Sequence, residues 1–188
     1  MKMNTEETQK VIEVIESSNL SASQVIELIE KNNNVQSEKV IDATDEIKLV
    51  VDYTKTVEQV IADGNYDWKN SDINAKNFPV SPEMVGKKIE VSAKLFHFNR
   101  DISSDDAISK MDKAGYRPAT LMELLVLGFL FPELQRQFPI VALGLFWRDA
   151  DSDRRVPCLG VFDNGRGLIL YWFAHGWLAH CRFIGVRK

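Results

Sequence analysis

At 188 residues, with 45% hydrophobic and 27% charged side chains, the chain is long enough for one domain with an appendage or for two small domains. A net charge of −4 and a pI near 5.5 exclude a whole-surface electrostatic grip on nucleic acid, which needs a basic face. No apolar run reaches the roughly 18 to 20 residues that a bilayer span needs, so no membrane span is expected.

Met1-Lys2-Met3-Asn4-Thr5-Glu6-Glu7 leads into acidic, helix-like sequence and not into an apolar signal core. No signal peptide is read, and the compartment stays open between the cytoplasm and a virion or cell surface reached by another route. Asn4 with Glu7, and Ser21 with Gln24, are candidate capping boxes. Val11, Ile12, Val14 and Ile15 follow the first, and Val25, Ile26, Leu28 and Ile29 the second, until Asn32-Asn33-Asn34 stops the pattern. Each helix is short for one that must stand alone. The pair, 1–44, is therefore expected to pack on itself, on the main domain or on another copy, which leaves a homo-oligomer open. A soft boundary falls between Asn34 and Thr44, with the main domain at 45–188.

Ile47 to Tyr53 reads as a strand, and Thr56 to Ala62 as a short helix closed by Gly64. Asn65 to Pro82 is polar, with Trp68 and Phe78 as anchors. From Lys88 to Phe98 the chain alternates, with Ile89, Val91, Ala93 and Leu95 on one face, as in a half-buried strand. Ser103 or Ser104 caps a helix through Ala107, Ile108 and Met111 that stops at Gly115. Pro118-Ala119-Thr120 opens a Leu-rich helix from Leu121 to about Leu130. Four strand candidates follow: Ile140 to Trp147, Arg155 to Leu159, Gly167 to Phe173 and Arg182 to Arg187. This order predicts an α+β domain with an antiparallel sheet and helices to one side, the last strand lying near Lys88 to Phe98.

The last fifty or so residues differ from the rest. Phe138 to Arg187 holds no Glu, Gln, Met or Lys, yet carries three of the four Trp, both Cys and two of the three His. Such a segment is either deep core or a surface built for binding. In Gly167 to Phe173, Leu168, Leu170 and Trp172 point one way and Ile169, Tyr171 and Phe173 the other, so one set can pack inside while the other faces out.

Two patches resemble known families. Gly115-Tyr116-Arg117-Pro118-Ala119-Thr120-Leu121-Met122-Glu123-Leu124-Leu125 resembles the G-x-R-L-P-T-x-x-E-W helix start of formylglycine-generating-enzyme-like domains, with Ala119 for the Pro and Leu124 for the Trp. Gly176-Trp177-Leu178-Ala179-His180-Cys181-Arg182-Phe183-Ile184-Gly185-Val186-Arg187 resembles the closing segment of variable proteins of diversity-generating retroelements. Both families share the C-type lectin fold. The resemblance implies a C-type-lectin-like domain with an antiparallel sheet, two flanking helices and the N-terminal helical extension.

It also implies a ligand-binding protein with a hypervariable region written by adenine mutagenesis, using no cofactor and performing no chemistry. AAC or AAT codons mutated at their first two positions cannot give Glu, Gln, Lys, Met or Trp. On that basis Trp147, Trp172 and Trp177 are scaffold, and the resemblance to the closing strand adds Cys181, Arg182 and Phe183. The variable positions are Leu145, Phe146, Val161, Phe162, Ile169, Tyr171, Phe173, Ala174, His175, Gly176, Leu178, Ala179 and His180. The partner is an unknown protein or surface ligand.

Other readings stand beside this one. His175, His180, Cys158 and Cys181 fit no standard zinc spacing. Cys158 and Cys181 do not match the cysteine pair of formylglycine-generating enzymes, although a small enzyme of that type, or a metal-dependent one, is the competing class. The two thiols are read as free, a single bridge requiring neighbouring strands. Asp149, Asp151 and Asp153 have calcium-loop spacing without the Gly and distant Glu of an EF-hand, which favours a solvated turn held by Arg148, Arg154 and Arg155. A third class is an interaction module that binds through its N-terminal helices.

Overall fold

The computed structural model describes residues 46–188. The predicted helices of 1–44 lie outside the described residues. The described part is a mixed α+β domain built on a nine-stranded sheet. Its first strand, β1, is Ile47–Asp52. Helix α1, Val57–Asp63, follows with a capping box in which Thr56 Oγ1 accepts from Gln59 N at 3.3 Å and Gln59 Oε1 from Thr56 N at 2.8 Å. The short β2, Trp68–Lys69, and the long β3, Lys88–Phe96, come next.

Ser103 caps α2, Ser104–Lys113, by accepting from Asp106 N at 3.1 Å. Asp105 and Asp106 sit in its first turn and Lys110 and Lys113 in its last, the arrangement that the helix dipole favours. Gly115 then turns the chain at φ +85°, a conformation that favours glycine. Strand β4, Tyr116–Pro118, leads into α3, Leu121–Leu130, and the one-turn α4, Leu134–Gln137. The remaining strands are β5 (Ile140–Val141), β6 (Trp147–Arg148), β7 (Arg154–Phe162), β8 (Gly165–Trp172) and β9 (Arg182–Arg187).

The sheet runs β1-β3-β9-β5-β7-β8-β2, with β4 beside β9 and β6 beside β7. Ala93 to Phe96 of β3 pair with Val186 to Phe183 of β9, the juxtaposition that the sequence order predicts. Two expectations are corrected. The sheet is not wholly antiparallel, because β5 runs parallel to β9 and β2 parallel to β8. The helices are not on one side either. Cys158 clusters with Ala107 and Met111 of α2, while its neighbour Leu159 comes close to Gly128 of α3, and adjacent strand residues point to opposite faces.

Ile140 to Trp147 is not one strand. It leaves the sheet after Val141, and Gly144 N donates to Ala119 O at 2.9 Å. A Cβ on Gly144 would lie 2.6 Å from that carbonyl, so the crossing beneath β4 requires glycine. Gly185 has a similar role inside β9, where a Cβ would meet the Phe96 ring at 2.8 Å and Met111 Sδ at 3.3 Å.

The turn after β1 carries a titratable lock. Asp52 Oδ1 accepts from Thr54 N at 3.0 Å and from Thr54 Oγ1 at 2.6 Å, and Lys88 Nζ lies 2.9 Å from Oδ2. The Thr54 hydroxyl, and then Lys88, hold the carboxyl down from 3.8 to about 2. A depressed folded value means the contribution is present above the unfolded value and is lost as pH falls through the folded one. Unfolding midpoints should therefore drop between pH 3.8 and about 2, and Asp52→Asn should flatten that part of the acid limb. Equal acid slopes in the two proteins would remove the lock from the account.

Candidate functional site

Strands β7 and β8 form a hairpin whose register runs from Arg155↔Trp172 to Phe162↔Gly165. Its tip, Asp163-Asn164, has φ of 48° and 63°, the positive pair that a tight two-residue hairpin turn requires. The opposite, open end of the hairpin lies beside β6 and receives the loop from Phe173 to Cys181. Most predicted variable residues gather at this open end.

Exposure there is set by position along the strands and not by face. Tyr171 shares its face with Ile169, Val156 and Cys158, and Val156 and Cys158 are fully buried against the cluster containing Ala107 and Met111. Tyr171 lies beyond that cover, is 43% exposed, and leans its ring on Trp177 at 5.8 Å. Its phenol is pushed up by partial burial. Phe173 is corrected from outward to buried: it joins the cluster of Ile102, Trp177 and Phe183, and Ser104 Oγ donates to its carbonyl at 2.7 Å.

Trp172 is corrected the other way, from inward scaffold to surface. It sits on the opposite face past the end of Leu168 and Leu170 and is 37% exposed. The Arg155 guanidinium lies 3.7 Å from its ring, and the His175 ring stacks on it at 5.0 Å and 21°. Arg155 Nε donates to Asp149 Oδ2 at 2.5 Å, which fixes the cation beneath the indole. Phe146 is exposed nearby, with Arg148 and Arg154 at 5.4 and 5.6 Å from its ring. Arg154 also caps Phe173 at 3.8 Å.

The acidic loop is a turn organised by one carboxylate. Asp149 Oδ1 accepts from Asp151 N at 3.0 Å and Asp153 N at 2.9 Å. Burial raises the Asp149 carboxyl, and the Arg155 bond and the backbone donors outweigh it, leaving it below its ordinary value. Among the described residues, no group of three or more His, Cys, Asp or Glu side chains converges as a metal would need.

The loop itself is pinned by Trp177 and Cys181, with exposed side chains on either side of Trp177. Trp177 is 5% exposed, exchanges backbone bonds with Ile102 at 2.8 and 3.0 Å, and donates from Nε1 to Ser104 Oγ at 2.8 Å. Cys181 is buried, and its N donates to Leu178 O at 3.0 Å. Ala174, His175, Gly176, Leu178 and His180 are all exposed around these pins, Leu178 to 60%. Ala179 is half-buried, its N donating to Asp101 Oδ1 at 3.0 Å and its carbonyl hydrogen-bonded to His97 Nε2 at 3.0 Å. Gly176 has no positive φ, and a Cβ there meets nothing nearer than Ile102 O at 3.9 Å, so the position accepts a side chain.

Four predicted residues lie elsewhere. Val161 and Phe162 are exposed at the hairpin tip, Phe162 seven residues from Arg155 along β7, or roughly 23 Å at 3.3 Å per residue. Phe162 stacks there on Trp68 at 4.3 Å. Leu145 is half-buried in a groove of about 500 Å³ with Tyr53, Phe78, Met122 and Glu123. Ile169 is half-buried beside Gly160 and Gly167.

Of the remaining scaffold residues, Phe183 is buried, and Trp147, paired with Arg155 across β6 and β7, is half-buried. Arg182 is half-buried, its guanidinium 4.4 Å from the Phe138 ring and donating to His180 O at 2.7 Å. Cys158 and Cys181 are free, and burial pushes both thiols up, so neither is a poised nucleophile. Ser104 enters the sequence reading only as a candidate cap, and its link to the loop is not legible there. Its hydroxyl joins Trp177 to Phe173, and only its place at the start of α2 marks it in the sequence.

Among the described residues, no helix is long and apolar enough to cross a membrane. No protein-family model, no curated protein and no solved structure matches the chain.

Proposed function

We propose that this chain is a C-type-lectin-like variable protein whose open-end surface binds a protein or surface ligand. Its final segment is the hypervariable region of a diversity-generating retroelement, and the protein performs no chemistry of its own. The observation that carries this reading is the loop from Phe173 to Cys181: it is tied down by buried Trp177 and Cys181 while His175, Leu178 and His180 stand in solvent. Tyr171, Trp172 and Phe146 widen that surface with aromatic area that loses little rotamer entropy on binding. The Arg155–Trp172–His175 stack adds a rigid platform with a cation already in place.

A diversified surface works only if its side chains do not decide folding. Substitutions at exposed positions free of special contacts usually stay within about ±0.5 kcal/mol. Leu178→Ser, Ala174→Ser and His180→Ser should each fall in that range by chemical denaturation. Phe173→Ser, in the same sequence segment but buried, should lose several kcal/mol, as core truncations do. Destabilisation of the exposed trio on the scale of Phe173 would end the reading.

The origin of the surface has its own test. The DNA flanking the coding segment should hold a reverse transcriptase and a near-copy of the final coding stretch that differs at adenines. Absence of both removes diversification and leaves a fixed binding surface.

A further inference from the structure

We infer that the outer edge of β1 is the contact between two copies of this chain, which pair antiparallel about Val50. Among the described residues the nine-stranded sheet ends at β1 and at the two-residue β2, so β1 is their long edge. An exposed edge of that length is a template for another strand unless it is blocked. Tyr53 N donates to Lys87 O at 2.8 Å and Tyr53 O accepts from Gly86 N at 3.0 Å, so the odd residues of β1 turn their backbone groups towards β3. The even residues, Lys48, Val50 and Asp52, turn theirs outward. Of those groups, the Asp52 carbonyl has a local partner among the described residues, Lys55 N at 3.3 Å.

The side chains of these three residues select the occupant. Setting Val50 opposite Val50 of a second copy places Lys48 opposite Asp52 and Asp52 opposite Lys48, a self-complementary register. Sliding the pair by two residues either way breaks both matches, and sliding by four sets Lys48 or Asp52 against itself. Cross-strand pairs of opposite charge stabilise and like charges destabilise. Within one copy Lys48 already approaches Glu90 at 3.3 Å and Asp52 approaches Lys88 at 2.9 Å. The dimer therefore extends a row of alternating sign: Lys88, Asp52, then Lys48 and Glu90 of the second copy.

The apolar surface is in the right place. Val50 is 57% exposed, Phe129 54% and Leu130 44%, around a groove of about 450 Å³ that also touches Val126, Lys48 and Asp52. An added strand would run along that groove with a second Val50 at its centre. A two-fold axis through Val50 also brings both Phe129–Leu130 patches to one interface. This edge lies at the far end of the sheet from β7 and β8, so the proposal stands apart from the ligand surface.

Sedimentation equilibrium of the full chain over a wide concentration range tests it. A reversible dimer is expected. Val50→Pro removes an outward N–H without touching the β3 ladder and should weaken association by about tenfold or more. Lys48→Asp and Asp52→Lys should each be monomeric alone, and an equimolar mixture should dimerise, because only the mixed pair restores opposite charges at both crossings. An unfolded variant could not show that rescue. A chain that stays monomeric throughout, a dimer that Val50→Pro leaves intact, or a mixture that stays monomeric would each overturn the proposal.

Discussion

Trp177→Ala is expected to destabilise the protein by about 3–5 kcal/mol, the range for truncating a buried aromatic. Two kinds of side-chain contact are lost together. The indole is 5% exposed and packs edge-on against Phe183 at 5.9 Å and against Tyr171 at 5.8 Å. Its Nε1 donates to Ser104 Oγ, whose own proton goes to the Phe173 carbonyl. The backbone bridge to Ile102 that closes the loop on the domain does not need the indole, so alanine retains it. Trp177→Phe keeps most of the ring contact and loses the indole donor, so it should cost about 1 kcal/mol. Urea unfolding at constant m-value separates the two variants. A loss below about 1 kcal/mol for the alanine variant would mean that Trp177 is not the pin described.

Arg117→Met is expected to lose about 3 kcal/mol. Glu123 is fully buried at the start of α3, where it accepts from Arg117 Nη1 at 3.0 Å, Arg117 Nη2 at 2.6 Å and Thr120 N at 2.7 Å. Breaking a buried pair from one side leaves an uncompensated charge, which commonly costs about 3–5 kcal/mol. The lower end applies because the Arg117 side chain is 37% exposed and solvent screens the pair. Combining Arg117→Met with Glu123→Leu should be milder than Arg117→Met alone, since no charge then remains inside. A double variant as damaging as the sum of the singles would show that the pair acts through packing and not through charge.

Local signals carried much of the fold. The alternation from Lys88, the Ser103 and Thr120 caps and the stop at Gly115 all answer to side-chain or backbone preferences within a few residues. The break after Val141 does not. It depends on the Pro118–Ala119 carbonyls meeting Gly144, a contact between distant segments. The parallel β5–β9 pairing is hidden for the same reason.

The candidate site divides similarly. Tyr171, His175, Leu178 and His180 are exposed, as the sequence reading expected. Phe173 and Trp172 exchanged places because alternation assigns a face but not how far along the strand the covering helix reaches. Val161 and Phe162 share the composition of the site but lie at the other end of the hairpin, which only the register shows.

The account depends most on the independence of the open-end surface from the fold beneath it. Randomising Phe146, Tyr171, His175, Gly176, Leu178 and His180 together, and measuring the folded fraction of each member by proteolysis, tests that directly. The predicted result is a library in which most members resist proteolysis as the parent does and some acquire binding to new proteins. A library in which most members are cleaved as unfolded chains would show that these residues hold the domain together, and the binding surface would have to be abandoned.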